Sequence, residues 1–249
     1  MISIVGPALA VGLMVSLIHA PLGIEVLRRG IIFIDLAVAQ IAGLGLVVAA
    51  IFLTEPSLFV SQAIALSCAL LAGLLFSKTE ILTPAQQEAL IGVSFVLAAS
   101  LAILFLSDHP SGGQEIQHLL SGQMLFVTWR EIGLHAPVYA IILLIWFAKP
   151  TVRNGIKFYI IFAIAITSSV QMVGVYVVFA SLILPALAAL NTRYPHATAW
   201  ICGLLSVITG SITAIVLDAP SGPVTVVSYV VITLLAIIMR NMKTTTKAS

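Results

Sequence analysis

Residues 158–190 read FYIIFAIAITSSVQMVGVYVVFASLILPALAAL, an unbroken apolar run without one formal charge. As a single helix it would be about 50 Å long at 1.5 Å per residue, against a hydrocarbon core of about 30 Å. The run is therefore too long for one crossing. Gly174 stands at its midpoint, so two helices with a break there are expected. Working outward, further candidate spans are 3–20, 32–53, 58–77, 89–107 and 134–148 before it. After it come 198–217 and 224–240, separated by the turn signal Asp218-Ala-Pro-Ser-Gly-Pro223. The total is nine candidate crossings, one or two of them short or re-entrant.

Composition agrees. Hydrophobic residues make up 61% of the chain, charged residues 8%, and mean hydropathy is +1.18. Soluble domains carry about 25% charged residues, and a water-facing surface cannot be built from so few. Continuous apolar runs exclude a transmembrane barrel, whose strands alternate polar and apolar residues. The expected fold is an all-α polytopic membrane helix bundle of about eight or nine transmembrane helices, with residues 1–249 forming one domain. The net charge of +2 speaks against a nucleic-acid partner, which needs a basic patch. The first apolar stretch has no Lys or Arg before it and is read as a retained span rather than a signal peptide.

Lys and Arg set the orientation. With Arg240, Lys243 and Lys247 in the cytoplasm, alternation through nine spans places Arg193, Lys149, Arg153, Lys157, Lys78, Arg28 and Arg29 there too, and leaves only Arg130 outside. Treating 158–190 as one span would strand Lys149, Arg153 and Lys157 outside, so the charges ask for the same break at Gly174. The segment from Asp108 to Glu131 then falls outside, and a short amphipathic helix on the outer face is expected within it. Trp129, Trp146 and Trp200 lie near the expected interfaces, as an aromatic belt would place them. Cys68 and Cys202 sit in apolar runs and read as core residues.

The chain has no G-x-x-x-x-G-K-[ST] phosphate loop, no G-x-S-x-G elbow and no H-E-x-x-H pair. It is not expected to be an enzyme. Ionisable residues inside spans are informative because each is costly in lipid unless paired or hydrated. Asp35, near the start of the second span, is the conspicuous one. Gln40 lies five residues on, about 140° around a helix, and His19 and Glu25 flank the connection before it. Imidazole, carboxylate and amide donors together suit a divalent metal such as Zn²⁺ or Mn²⁺. His19, Glu25, Asp35 and Gln40 are therefore the candidate metal ligands. The alternatives are that Asp35 pairs with Arg28 or Arg29, that His19 ends a helix, and that Glu25 is solvated. His109, His118, Asp108 and Glu115 offer a metal-handling surface or a plain solvated loop; His135 and His196 read as interfacial. Small residues at Ala37, Ala39, Ala42, Gly43 and Gly45 indicate close helix packing, within the bundle or at a dimer seam.

Four stretches resemble one family in order along the chain. Leu27 to Gln40 (LRRGIIFIDLAVAQ) is similar to the Arg-Arg…Asp motif of the zinc/manganese/iron ABC importer permeases, the ABC-3 family. Leu119 to Leu125, Val173 to Ala189 and Leu217 to Pro223 resemble that family's L-x-x-G-x-x-L, V-G-x-L-L-V-x-x-x-L-I-x-P-A and D-x-P-S-G-P segments. The resemblance implies a type II ABC importer-like permease working as a homodimer in the bacterial inner membrane. It implies a cytoplasmic ABC ATPase dimer that uses the ATP, and an extracytoplasmic metal-binding protein that delivers a divalent metal, zinc first among the candidates. No covalently bound cofactor is expected. In the family an Asp and a His four residues later line the metal route; Asp35 matches the first, but position 39 is Ala. The segment from Ala148 to Lys157 is shorter and more basic than the family's ATPase-coupling segment. That shortness motivates the rival reading, a stand-alone secondary metal transporter or channel on the same scaffold.

Overall fold

The computed structural model describes residues 2–53, 56–107, 122 and 124–245. Among them are nine α-helices and no strand: α1 Ile2–Arg29, α2 Ile34–Phe52, α3 Leu58–Lys78, α4 Pro84–Leu106, α5 Trp129–Ala148, α6 Gly155–Val173, α7 Val175–Ala189, α8 Pro195–Val216 and α9 Ser221–Thr245. Eight are long and apolar enough to cross a membrane; α7, with 15 residues, is shorter. The amphipathic helix expected within 108–131, with its His109, His118, Asp108 and Glu115, falls largely outside the described residues; Trp129 to Glu131 open α5.

The break falls at Gly174, whose φ of 79° and ψ of 163° define a conformation essentially reserved for glycine. The chain reverses there. Ser169 and Ser181 are twelve residues apart, about 18 Å along a continuous helix. Yet both hydroxyls bond the one imidazole of His19, Ser181 at 2.6 Å and Ser169 at 2.9 Å, so α7 runs back alongside α6. Gly122 closes over the turn, with no room for a Cβ beside the Val173 carbonyl.

With that reversal the described basic residues other than Arg130 gather at one end of the bundle, the arrangement that the charge pattern requires. Arg29, closing α1, organises this basic end. It pairs with Glu25 (2.9 Å) and with Glu80 between α3 and α4 (2.5 Å), and donates to the Arg153 carbonyl between α5 and α6 (2.5 Å). Its guanidinium also lies 4.2 Å from the Phe158 ring centroid. Arg240 of α9 donates to the carbonyls of Ala188 and Leu190 at the end of α7.

The interior is held by close approach of small residues. Along α1 and α8, Gly12 meets Val207, Gly203 meets Ser16, and Ala20 clusters with Ala199. The step of four on both helices is ridge-into-groove packing. α8 and α9 repeat it, Gly210 against Thr225 and Cys202 3.5 Å from Thr233. Gly45 packs on Ala65 and Cys68 of α3, so that part of the small-residue stripe is spent inside the chain.

Helix ends differ from the expected spans for local reasons. α1 continues past residue 20 to Arg29 because Leu22 and Val26 face the core and Glu25 is neutralised by Arg28 and Arg29 one turn on. Pro21 is accommodated inside it. A proline frees the carbonyl four residues back, and the Leu17 carbonyl accepts a hydrogen bond from Trp200 Nε1 at 3.1 Å. α4 and α5 begin five residues early, at capping boxes: Thr83 with Gln86, and Thr128 with Glu131. α9 starts at Ser221, so Gly222 and Pro223 of the expected turn form its first turn, after Asp218 with a φ of 48°. Trp129 is exposed at an end, as expected of a belt residue, whereas Trp146 is 2% exposed and packs on Phe158 inside the bundle.

Candidate functional site

The loop Gly30–Phe33 is short, so α2 starts close to the basic end, and Asp35 is the second residue of the helix. Its side chain is wholly buried between α2 and its neighbours. Among the described residues neither carboxylate oxygen has a hydrogen-bond partner at bonding geometry, though the open amides of Asp35 itself and Leu36 lie nearby. An acid at a helix N-terminus is favoured by the dipole, by about 0.3–1 kcal/mol at a surface and up to about 2 kcal/mol when partly buried. That is small beside the several kcal/mol needed to desolvate a carboxylate. The expected alternative, a pair between Asp35 and Arg28 or Arg29, does not form: both arginines hold Glu25 instead.

A second acid, Glu88 of α4, stands at the same end of α2. Glu88 Oε1 accepts the backbone N–H of Phe33 at 3.0 Å, two residues before Asp35. Among the described residues its buried Oε2 has no partner at bonding geometry, though the Ile32 amide lies nearby. Glu88 was not a candidate from the sequence. It stands one residue before the expected span 89–107, in a segment that reads as polar loop, and only the early capping box carries it into the helix.

The other candidates go elsewhere. His19 of α1 is wholly buried, with Nδ1 on Ser181 and Nε2 on Ser169; Tyr139 of α5 adds its hydroxyl to Ser169 at 2.5 Å. Both ring nitrogens are thus occupied, and the imidazole ties α1, α5, α6 and α7 together. Glu25 is buried under two arginines, with Arg28 contributing a two-pronged bond at 2.9 and 2.6 Å. Gln40 faces away from Asp35, as the 140° separation requires. It lines a cavity of about 460 Å³ with Leu36, Phe95, Tyr176, Phe179 and Val226 of α2, α4, α7 and α9. Among the described residues no group of three His, Cys, Asp or Glu side chains is placed to hold a metal together, so the four candidates are not one cluster. Ala39, where the resemblance asks for His, is buried on the same face as Asp35. His135 of α5, half-buried, bonds Ser168 at 2.6 Å.

The arrangement is that of a polytopic membrane protein with a buried acid, Asp35, at the start of α2 and a second acid, Glu88, bonded to the loop before it. The model of the ABC 3 transport family matches residues 1–152 and 150–240, and the chain belongs to that family. A curated relative, the manganese transport system membrane protein MntC of Halalkalibacterium halodurans, is 24% identical over 241 residues, covering 86% of this chain and 80% of its own. The fold is shared with a chain of PsaBC from Streptococcus pneumoniae, solved in complex with Fab, at a TM-score of 0.73 and 18% identity. That match covers 94% of this chain and 90% of the other.

Proposed function

We propose that this chain is the permease subunit of an ATP-driven importer of a divalent metal cation in the bacterial inner membrane. Two copies form the pathway, a cytoplasmic ABC ATPase dimer docks on the basic end, and an extracytoplasmic metal-binding protein docks on the other. Family membership and the manganese transport named for the relative support this reading. The observation that carries it is Asp35, a carboxylate buried in a helix bundle with no partner at bonding geometry on either oxygen among the described residues. Such a group is tolerated where a cation or water reaches it. The unpartnered donors at this end, among the described residues, are carboxylate oxygens of Asp35 and Glu88, and hard oxygen ligands suit Mn²⁺ better than the Zn²⁺ that the resemblance ranks first.

Coupling runs through the Arg29 clasp. It ties the α1 end to the α3–α4 and α5–α6 connections, so an ATPase pulling on the short connection Pro150–Arg153 moves three connections as one body. Radiolabelled Mn²⁺ and Zn²⁺ uptake in import-deficient cells, with the ATPase present, tests the proposal. Asp35→Ala should abolish uptake while protein level and assembly stay normal. Normal uptake by that variant removes Asp35 from the route. Flux through the purified chain alone in liposomes would favour the stand-alone transporter.

A further inference from the structure

We propose that Asp35 and Glu88 together form a divalent-cation subsite at the basic end, with Glu88 supplying from α4 the second ligand that α2 lacks at Ala39. The inference rests on the permease reading and names a residue which that reading does not need. Its ground is a charge imbalance. Three buried carboxylate oxygens, both of Asp35 and Oε2 of Glu88, have no hydrogen-bond partner at bonding geometry among the described residues. The bond from the Phe33 amide to Glu88 Oε1 at 3.0 Å holds Glu88 at the start of α2, two residues before Asp35. The nearby arginines are committed: Arg28 to Glu25, and Arg29 to Glu25, Glu80 and the Arg153 carbonyl. By contrast Glu25, the other buried acid at this end, is fully neutralised.

Glu88 is also held in place for the task. The bond from the Phe33 amide fixes Oε1 and leaves Oε2 open. A divalent cation between the carboxylates cancels both charges, which the partial charges of a helix terminus cannot do. Two oxygen ligands leave the remaining positions to water. That is the balance a transit site needs, attractive enough to enter and weak enough to leave.

The test is Mn²⁺ titration of the purified full-length chain in lipid nanodiscs, with free Mn²⁺ read by electron paramagnetic resonance. Glu88→Gln, Asp35→Asn, Glu88→Asp and, as control, Glu80→Gln are compared with the parent chain. Gln at 88 keeps an oxygen for the Phe33 amide, and thermal melting in the same nanodiscs verifies folding. Glu88→Gln and Asp35→Asn should each weaken binding by at least the roughly 10–100-fold that loss of an outer-shell partner costs at metal sites. Glu88→Asp should recover part of the loss, and Glu80→Gln should bind as the parent does. If Asp35→Asn loses binding and uptake while Glu88→Gln keeps both, the paired site is wrong and the permease reading stands. If Asp35→Asn changes neither, both fail. If the parent binds no Mn²⁺ and Glu88→Gln raises the melting temperature, the pair shares a proton and the cation site is overturned.

Discussion

Gly23 of α1 crosses α7 with almost no space between backbones. A Cβ built there would sit 2.0 Å from the Leu182 carbonyl oxygen, 2.9 Å from its carbon and 3.2 Å from the Ala186 Cβ. Ordinary contact with an oxygen needs more than 3 Å, so Gly23→Ala forces α7 away by over 1 Å. The obstruction is backbone, which cannot rotate aside. Overpacking of this kind costs about 1–3 kcal/mol. The same shift stretches the 2.6 Å bond between Ser181 and His19 beyond hydrogen-bonding range, adding about 1 kcal/mol. The total is roughly 2–4 kcal/mol, a fall in Tm of about 4–16 °C at the sensitivity of chains of this length. Gly133 of α5 is the matched control, with nothing within 4 Å of its added Cβ. There the same change should be neutral or stabilising by up to about 1 kcal/mol, through helix propensity alone. The assay is thermal unfolding of both variants in one detergent, followed by size-exclusion chromatography. Equal melting of the two would refute the claim that α1 and α7 meet backbone to backbone.

Trp200→Phe keeps the ring but leaves the Leu17 carbonyl freed by Pro21 without its donor, and should destabilise by about 1–3 kcal/mol; the double change with Pro21→Ala should recover much of that loss in the same melting assay. Gly174→Ala should cost about 1–3 kcal/mol for holding a Cβ at φ 79°, ψ 163°, visible as a lower Tm and as faster proteolysis at the α6–α7 reversal. Arg29→Lys keeps the charge but loses the planar fork that serves Glu25, Glu80 and the Arg153 carbonyl together; ATP-driven uptake should fall several-fold while Mn²⁺ binding by the chain is unchanged. Uptake equal to that of the parent would show that the clasp does not carry coupling.

Much of the fold is written in features that lipid makes expensive. A run of 33 uncharged residues cannot be one crossing, and Lys and Arg cannot be scattered on both faces, so 158–190 and the basic residues separately require the reversal at Gly174. Helix ends are written less plainly. The starts of α4 and α5 rest on Thr83 with Gln86 and Thr128 with Glu131, polar pairs that hydropathy counts as loop although they are capping signals. α1 runs on to Arg29 because Glu25 meets its countercharges one turn later, which an apolar-run criterion cannot see.

The candidate site divides along the same line. Asp35 is legible alone, since a charge inside a 19-residue apolar helix has no cheap explanation. His19 carries an equally strong signal but a different meaning. Its partners are serines and a tyrosine, residues common enough in apolar helices to pass unnoticed, and a hydroxyl on each ring nitrogen satisfies an imidazole as fully as a metal site would. An imidazole can be neutral, so hydroxyls suffice; two ionised carboxylates sharing their surroundings need a cation or a proton. That difference in chemistry, more than position in the chain, separates a histidine whose ring nitrogens are both bonded from the two acids for which we propose a cation. It also explains why Glu88 surfaces only in three dimensions: in sequence it is one acid at the edge of a span, and only the fold brings it to the Phe33 amide at the start of α2.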